Sequence, residues 1–169
     1  MQKTSARRTS PVHALALAIA GLAATLAPAA RAQAPAAAAG TETFKVGIVS
    51  FLSGQAAESF GIPAVNGAKA LVEAFNKGEA PAPYDKAGIG GMRIEAVYID
   101  ENGGATKQVQ ELRNLYDREK VDAVVGYVSS GDCLAVAPVA EEMKKFLILY
   151  DCGTPRIFED AKYNYVFRT

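Results

Sequence analysis

The chain has 169 residues, enough for one domain with a single core, and its 18 basic and 18 acidic side chains leave no net charge. That balance lacks the basic footprint of a protein that holds nucleic acid or an anionic membrane. The one histidine, His13, falls in the leading segment and only two cysteines are present, so the remainder of the chain cannot assemble a histidine-based catalytic triad or a Cys/His zinc centre.

Lys3, Arg7 and Arg8 make a basic start, Ala14 to Ala27 is an apolar run, and Ala30-Arg31-Ala32 is a small-x-small cleavage pattern. The run is shorter than the roughly 20 residues that span a bilayer and is followed by Pro28. Residues 1–32 are therefore expected to be an export signal cut after Ala32, with periplasmic delivery and no stable membrane insertion. Thr9-Ser10-Pro11 after the paired arginines favours general secretion over a twin-arginine route. Residues 33–43, mostly Ala, read as a flexible leader. Without its signal the chain keeps 14 basic side chains against 18 acidic ones, since Lys3, Arg7, Arg8 and Arg31 are lost.

Phe44 to Phe51 is β-branched and aromatic, a first strand closed by Leu52-Ser53-Gly54. From Pro63 the period changes: Ala64, Val65, Ala68, Leu71, Val72 and Phe75 share one face of a helix that Asn76-Lys77-Gly78 ends. Ala80 to Gly91 is a loop, and Met92 to Asp100 a second strand. A second helix from Ala105 to Glu119 buries Val109, Leu112 and Tyr116. Val121 to Gly126 suits a parallel strand covered on both faces. Ala135, Val139, Ala140 and Met143 mark a third helix, which Pro138 kinks or begins. Phe146 to Tyr150 is a fourth strand, and Tyr163 to Phe167 a candidate fifth.

Alternating strands and helices imply an α/β fold, a parallel sheet with helices on both faces joined by right-handed crossovers. Ligands of such sheets bind beyond the carboxyl ends of the strands. That rule selects four loops: Phe51 to Gly61, Asp100 to Gly104, Tyr127 to Cys133 and Asp151 to Arg156.

In these loops and their flanks the sequence resembles the Leu/Ile/Val-type periplasmic solute-binding proteins of ABC transporters. The resemblance rests on Leu52-Ser53-Gly54, Phe60-Gly61, Asn66-Gly67-Ala68, Ala74-Phe75-Asn76, Ile89-Gly90-Gly91, Asp100, Val125-Gly126 with Ser129-Ser130, and Phe167-Arg168, in order across roughly 125 residues. It implies a periplasmic binding protein type I lobe with flavodoxin-like strand order, residues 44–169 being the N-terminal lobe. In that family the chain crosses to a second lobe soon after the Phe-Arg pair; this sequence stops at Thr169, so a truncated chain is expected.

Ser129-Ser130-Gly131-Asp132 precedes a helix whose free N–H groups and dipole can hold a carboxylate, or simply caps that helix. The resemblance puts Ser130 on the ligand carboxylate and Phe60 on the cleft wall, although a phenylalanine usually packs in a core. It also implies ligand contacts from Gly153 and Thr154. Asp151 departs from the Leu/Ile/Val pattern and is read either as a partner for a solute hydroxyl or amine or as a cap. Cys133 and Cys152, in loops at the same end of two strands of an exported chain, suit a disulfide, with two buried thiols as the alternative. Gly88-Ile89-Gly90-Gly91 precedes a strand instead of following one and so fails as a nucleotide loop. Asp100-Glu101 reads as two acids on a surface loop.

The expected function is the binding component of an ABC importer, capturing an amino acid, amide or aromatic acid for a membrane permease. No cofactor, metal or nucleic acid is expected and no enzymatic activity. The alternative is a metabolite-sensing ligand-binding domain of a signalling system.

Overall fold

The computed structural model describes residues 40–169. The export signal and leader residues 33–39 lie outside the described residues. Five strands form one parallel sheet: β1 (Gly40–Ser50), β2 (Met92–Asp100), β3 (Ala123–Gly126), β4 (Phe146–Leu149) and β5 (Val166–Arg168). Their order across the sheet is β2-β1-β3-β4-β5, the flavodoxin-like order. The helices between them are α1 (Ile62–Lys77), α2 (Gly104–Asp117), α3 (Ser130–Met143) and the short α4 (Arg156–Glu159).

β1 begins inside the segment read as a leader, because Gly40 and Thr43 pair with Met92 and Arg93 across a register shift. That pairing carries β1 along the full length of β2. α3 starts at Ser130, eight residues before Pro138, which it takes into its interior. The proline therefore neither starts the helix nor marks its first turn. α4 has no counterpart among the elements expected from sequence; it is a single turn held by the buried Ile157.

Alternation along the strands sorts the two faces. Val49, Val124, Leu147 and Leu149 point towards α2 and α3, where Leu112, Leu115, Tyr116, Val136, Ala137 and Ala140 complete a buried core. Gly47 on this face lies against Leu115 and Val124, which occupy the space its side chain would need. Of the helix α2 residues expected to be buried, Leu112 and Tyr116 are and Val109 is partly so.

Among the described residues the opposite face carries only α1, and of its apolar stripe only Val65 is fully buried. Ile48, Val125, Ile148 and Phe146, with Ala68 and Leu71 of α1, border an open apolar trough of about 570 Å3. Leu71 is 59% exposed and Phe146 43%. By the described residues, β3 and β4 are therefore well covered on one face only, not on both as their apolar runs suggest.

The helix α1 end and β2 are tied by one side chain. Asn76 donates from Nδ2 to the Ile94 carbonyl (2.9 Å) and accepts from the Ile94 amide (2.7 Å). Among the described residues, no helix is long and apolar enough to cross a membrane.

Candidate functional site

The connections leave β1 towards β2 on one side and β3 towards β4 on the other, so the sheet's switch point lies between the carboxyl ends of β1 and β3. The four loops selected from the sequence meet at this end and are laced to one another. Asp100 joins the first two: its Oδ1 accepts from the amides of Leu52 (2.9 Å), Ser53 (3.3 Å) and Asn102 (3.0 Å), and its Oδ2 from the Ser53 hydroxyl. Burial pulls the Asp100 carboxyl up, but the Ser53 hydroxyl and the three amides outweigh it and hold it below the usual carboxylate range.

Glu101 joins the second loop to the third. It is fully buried, and its carboxylate accepts from the Val128 amide (2.9 Å to each oxygen) and the Ser129 amide (2.7 Å). This corrects the reading of Asp100-Glu101 as two surface acids. Gln108 of α2, also buried, donates to the Glu101 carbonyl (2.7 Å) and so fixes the backbone from which that carboxylate projects. Burial pushes Glu101 above the usual carboxylate range; the Ser129 and Val128 amides pull the other way, and the nearby Asp132 and Asp100 charges add to the rise.

The third and fourth loops are joined by the Cys133–Cys152 disulfide, with Cα atoms 6.3 Å apart and both residues buried. The fourth loop is held to the end of β5 by Arg168, whose Nη1 donates to the carbonyls of Thr154 (2.7 Å) and Cys152 (3.3 Å).

Ser129 is the N-cap of α3, its hydroxyl accepting from the Asp132 amide (3.3 Å). The Val128 and Ser129 amides are already taken by Glu101, so they are closed to any ligand. Among the described residues, nothing accepts from the amides of Ser130 and Gly131, which are the open donors of this helix end. Ser130 itself is partly exposed at that edge. Asp132 sits buried in the same first turn, and burial raises its carboxyl above the usual range while the Ser129 hydroxyl partly offsets this.

Phe60 lies in a five-residue helical turn, Ala57–Gly61, and is 53% exposed, so it is not a core residue. Gly61 lets that turn rest on the first loop, since any side chain there would overlap the Phe51 carbonyl. Asp151 and Gly153 are exposed, and Asp151 makes no hydrogen bond among the described residues. The following turn begins after Pro155, and the Thr154 hydroxyl accepts from its Arg156 amide (3.4 Å). The structure thus gathers Ser129, Ser130, Asp151, Gly153 and Thr154 at one edge, with Phe60 on the first loop of the same end.

Sequence reading misses Glu101, Gln108 and Tyr127. Tyr127 is fully buried with φ 72°, and its hydroxyl has no partner among the described residues. No group of three or more His, Cys, Asp or Glu side chains suited to a metal occurs among the described residues.

Comparison with known proteins gives this edge a context. One similar structure is the branched-chain amino acid transporter substrate-binding protein of Streptococcus pneumoniae in complex with isoleucine: 27% identity, TM-score 0.64, covering 75% of this chain and 33% of that one. Another is an ABC transporter solute-binding protein of Rhodopseudomonas palustris in complex with 3,4-dihydroxybenzoic acid: 25% identity, TM-score 0.59, covering 75% and 31%. A periplasmic binding protein of Burkholderia mallei matches at 26% identity and TM-score 0.63, covering 76% and 33%. The chain thus spans about a third of the length of each. No curated protein matches the sequence. The family model described as periplasmic binding protein matches residues 43–169, all but the first three described residues, and the chain belongs to the periplasmic binding protein family.

Proposed function

We propose that residues 44–169 form the N-terminal lobe of an extracytoplasmic solute-binding protein of an ABC importer, which captures amino acids or related small polar or aromatic acids for a membrane permease. It binds and does not catalyse. Residues 1–32 direct export and are removed after Ala32.

The observation that carries this reading is the pair of amides, Ser130 and Gly131, unpartnered among the described residues, at the start of α3 beside the sheet's switch point. Amides at a helix N-terminus accept a carboxylate without a cationic side chain. Isoleucine and 3,4-dihydroxybenzoic acid, the ligands of two similar structures, both carry one. In this reading Ser129 and Ser130 hold the solute's acid group, and the exposed Phe60 packs on its apolar part. Thr154 and Asp151 meet a hydroxyl or amine, and Gly153 lets the solute approach the backbone. A second lobe supplies the remaining contacts by closing over the cleft.

The test is a thermal-shift screen of the chain harvested from the periplasm, with isoleucine, other amino acids, 4-hydroxybenzoate and 3,4-dihydroxybenzoate as probes. A stabilising shift that Ser130→Ala removes is the expected result. A cooperative melt that none of these solutes moves would refute solute capture by this edge on its own.

A further inference from the structure

Glu101 is a buried carboxylate with no cationic partner among the described residues. A charge buried in this way is costly, and such a group persists only when its hydrogen bonds are well made. Here they are made to a particular backbone feature. Tyr127, in the left-handed region at φ 72°, turns the chain so that the next two N–H groups, of Val128 and Ser129, converge on one point. Consecutive amides arranged in this way form an anion-binding hollow. The chain fills that hollow with its own acid, delivered from the end of β2 and steadied by Gln108.

We infer that Glu101 is a positioning residue of the binding edge: by occupying the Val128 and Ser129 amides from inside, it sets the turn so that the Ser130 and Gly131 amides face the solute. The inference rests on the reading of this edge as the solute site and deepens it. Without an internal acceptor, the strained turn at Tyr127 would relax, and four amides would compete for one acid group in place of two. The titratable groups around Glu101 are Asp100 at the end of β2, Asp132 in the first turn of α3, and Tyr127 and Tyr150 at the ends of β3 and β4. Lys107, in the first turn of α2, is engaged elsewhere, donating to the Asn102 carbonyl at 2.8 Å.

The test separates the positioning role from the binding reading. In 15N spectra of the periplasmic chain, the Val128 and Ser129 amide protons should move together as Glu101 titrates, with a midpoint above the ordinary glutamate value of about 4.3. In Glu101→Gln that titration should vanish, and exchange of the two amides with solvent should quicken about tenfold or more while Val124 and Leu147 stay protected. Affinity for whichever probe binds, isoleucine or 4-hydroxybenzoate, should fall about tenfold in Glu101→Gln. In the wild type it should also weaken as pH drops through the same midpoint, a dependence that a merely structural residue would not impose. Wild-type amides that do not titrate overturn the inference whether or not Glu101→Gln folds. Equal affinity in the two proteins overturns it too. If no probe binds the wild type, the reading of the edge fails on its own, while the amide titration still decides whether Glu101 holds the turn.

Discussion

The Cys133–Cys152 bridge closes a loop of sequence separation 19, and it stabilises the fold through what it denies the unfolded chain. Closing about 20 residues removes about 11 cal/mol/K of chain entropy, or roughly 3.3 kcal/mol at 25 °C. A folded unit of about 130 residues unfolds with an entropy near 0.27 kcal/mol/K, so losing the bridge should lower the melting temperature by about 12 °C. The variant is Cys133→Ala with Cys152→Ala, since serine would bury two hydroxyls without partners. Scanning calorimetry measures the shift, and urea unfolding should show a larger m-value because the freed chain expands more when unfolded. A melting temperature within about 3 °C of the wild type, with an unchanged m-value, would refute the entropic argument.

The two faces of the sheet should respond unequally to truncation. Leu112→Ala, in the full core, should cost about 2–5 kcal/mol by urea denaturation, whereas Leu71→Ala on the exposed trough should stay within about 0.5 kcal/mol. Asp100, held below its unfolded value, contributes stability that is complete above that value and is lost as pH falls through the folded one. Asp100→Asn should therefore be less stable at neutral pH and show a flatter acid limb, read from urea midpoints between about pH 3 and pH 7. Glu101 and Asp132 act with the opposite sign: their raised values mean that ionising them weakens the fold as pH rises through the window between unfolded and folded values.

The second strand is readable to the residue, since Met92 to Asp100 alternates between Gly90-Gly91 and the Asn102-Gly103-Gly104 turn. The four loops are equally legible, because strand and helix order alone places them at one end. Glu101 is not, since its partners lie 27 and 28 residues on and nothing local distinguishes a buried acid from an exposed one beside Asn-Gly-Gly. Gln108 does leave a signal: with Leu112 and Leu115 it falls at i, i+4 and i+7 on the buried face of α2, a polar residue in a core position. The apolar stripe of α1 is legible as one helical face, but periodicity reports which face is apolar and not how much of it is covered. At the third helix, Pro138 argues for a late start and the cap at Ser129 for an early one. The cap prevails because a proline within a helix can be tolerated when surrounding packing holds it.

The four ties along this loop edge differ in chemistry, and this makes the edge separable by reagent. Strong acid neutralises Asp100 and frees the first loop; milder acid reaches Glu101 and the turn before α3. Reductant, once the fold opens enough to admit it, cuts only the bridge between the third and fourth loops. Neither reaches the clasp of Arg168 on the Cys152 and Thr154 carbonyls, which stays to hold the fourth loop on β5. Acid thus loosens the edge in two steps, the tie of Glu101 before that of Asp100, with the strand amides beneath it as an internal reference.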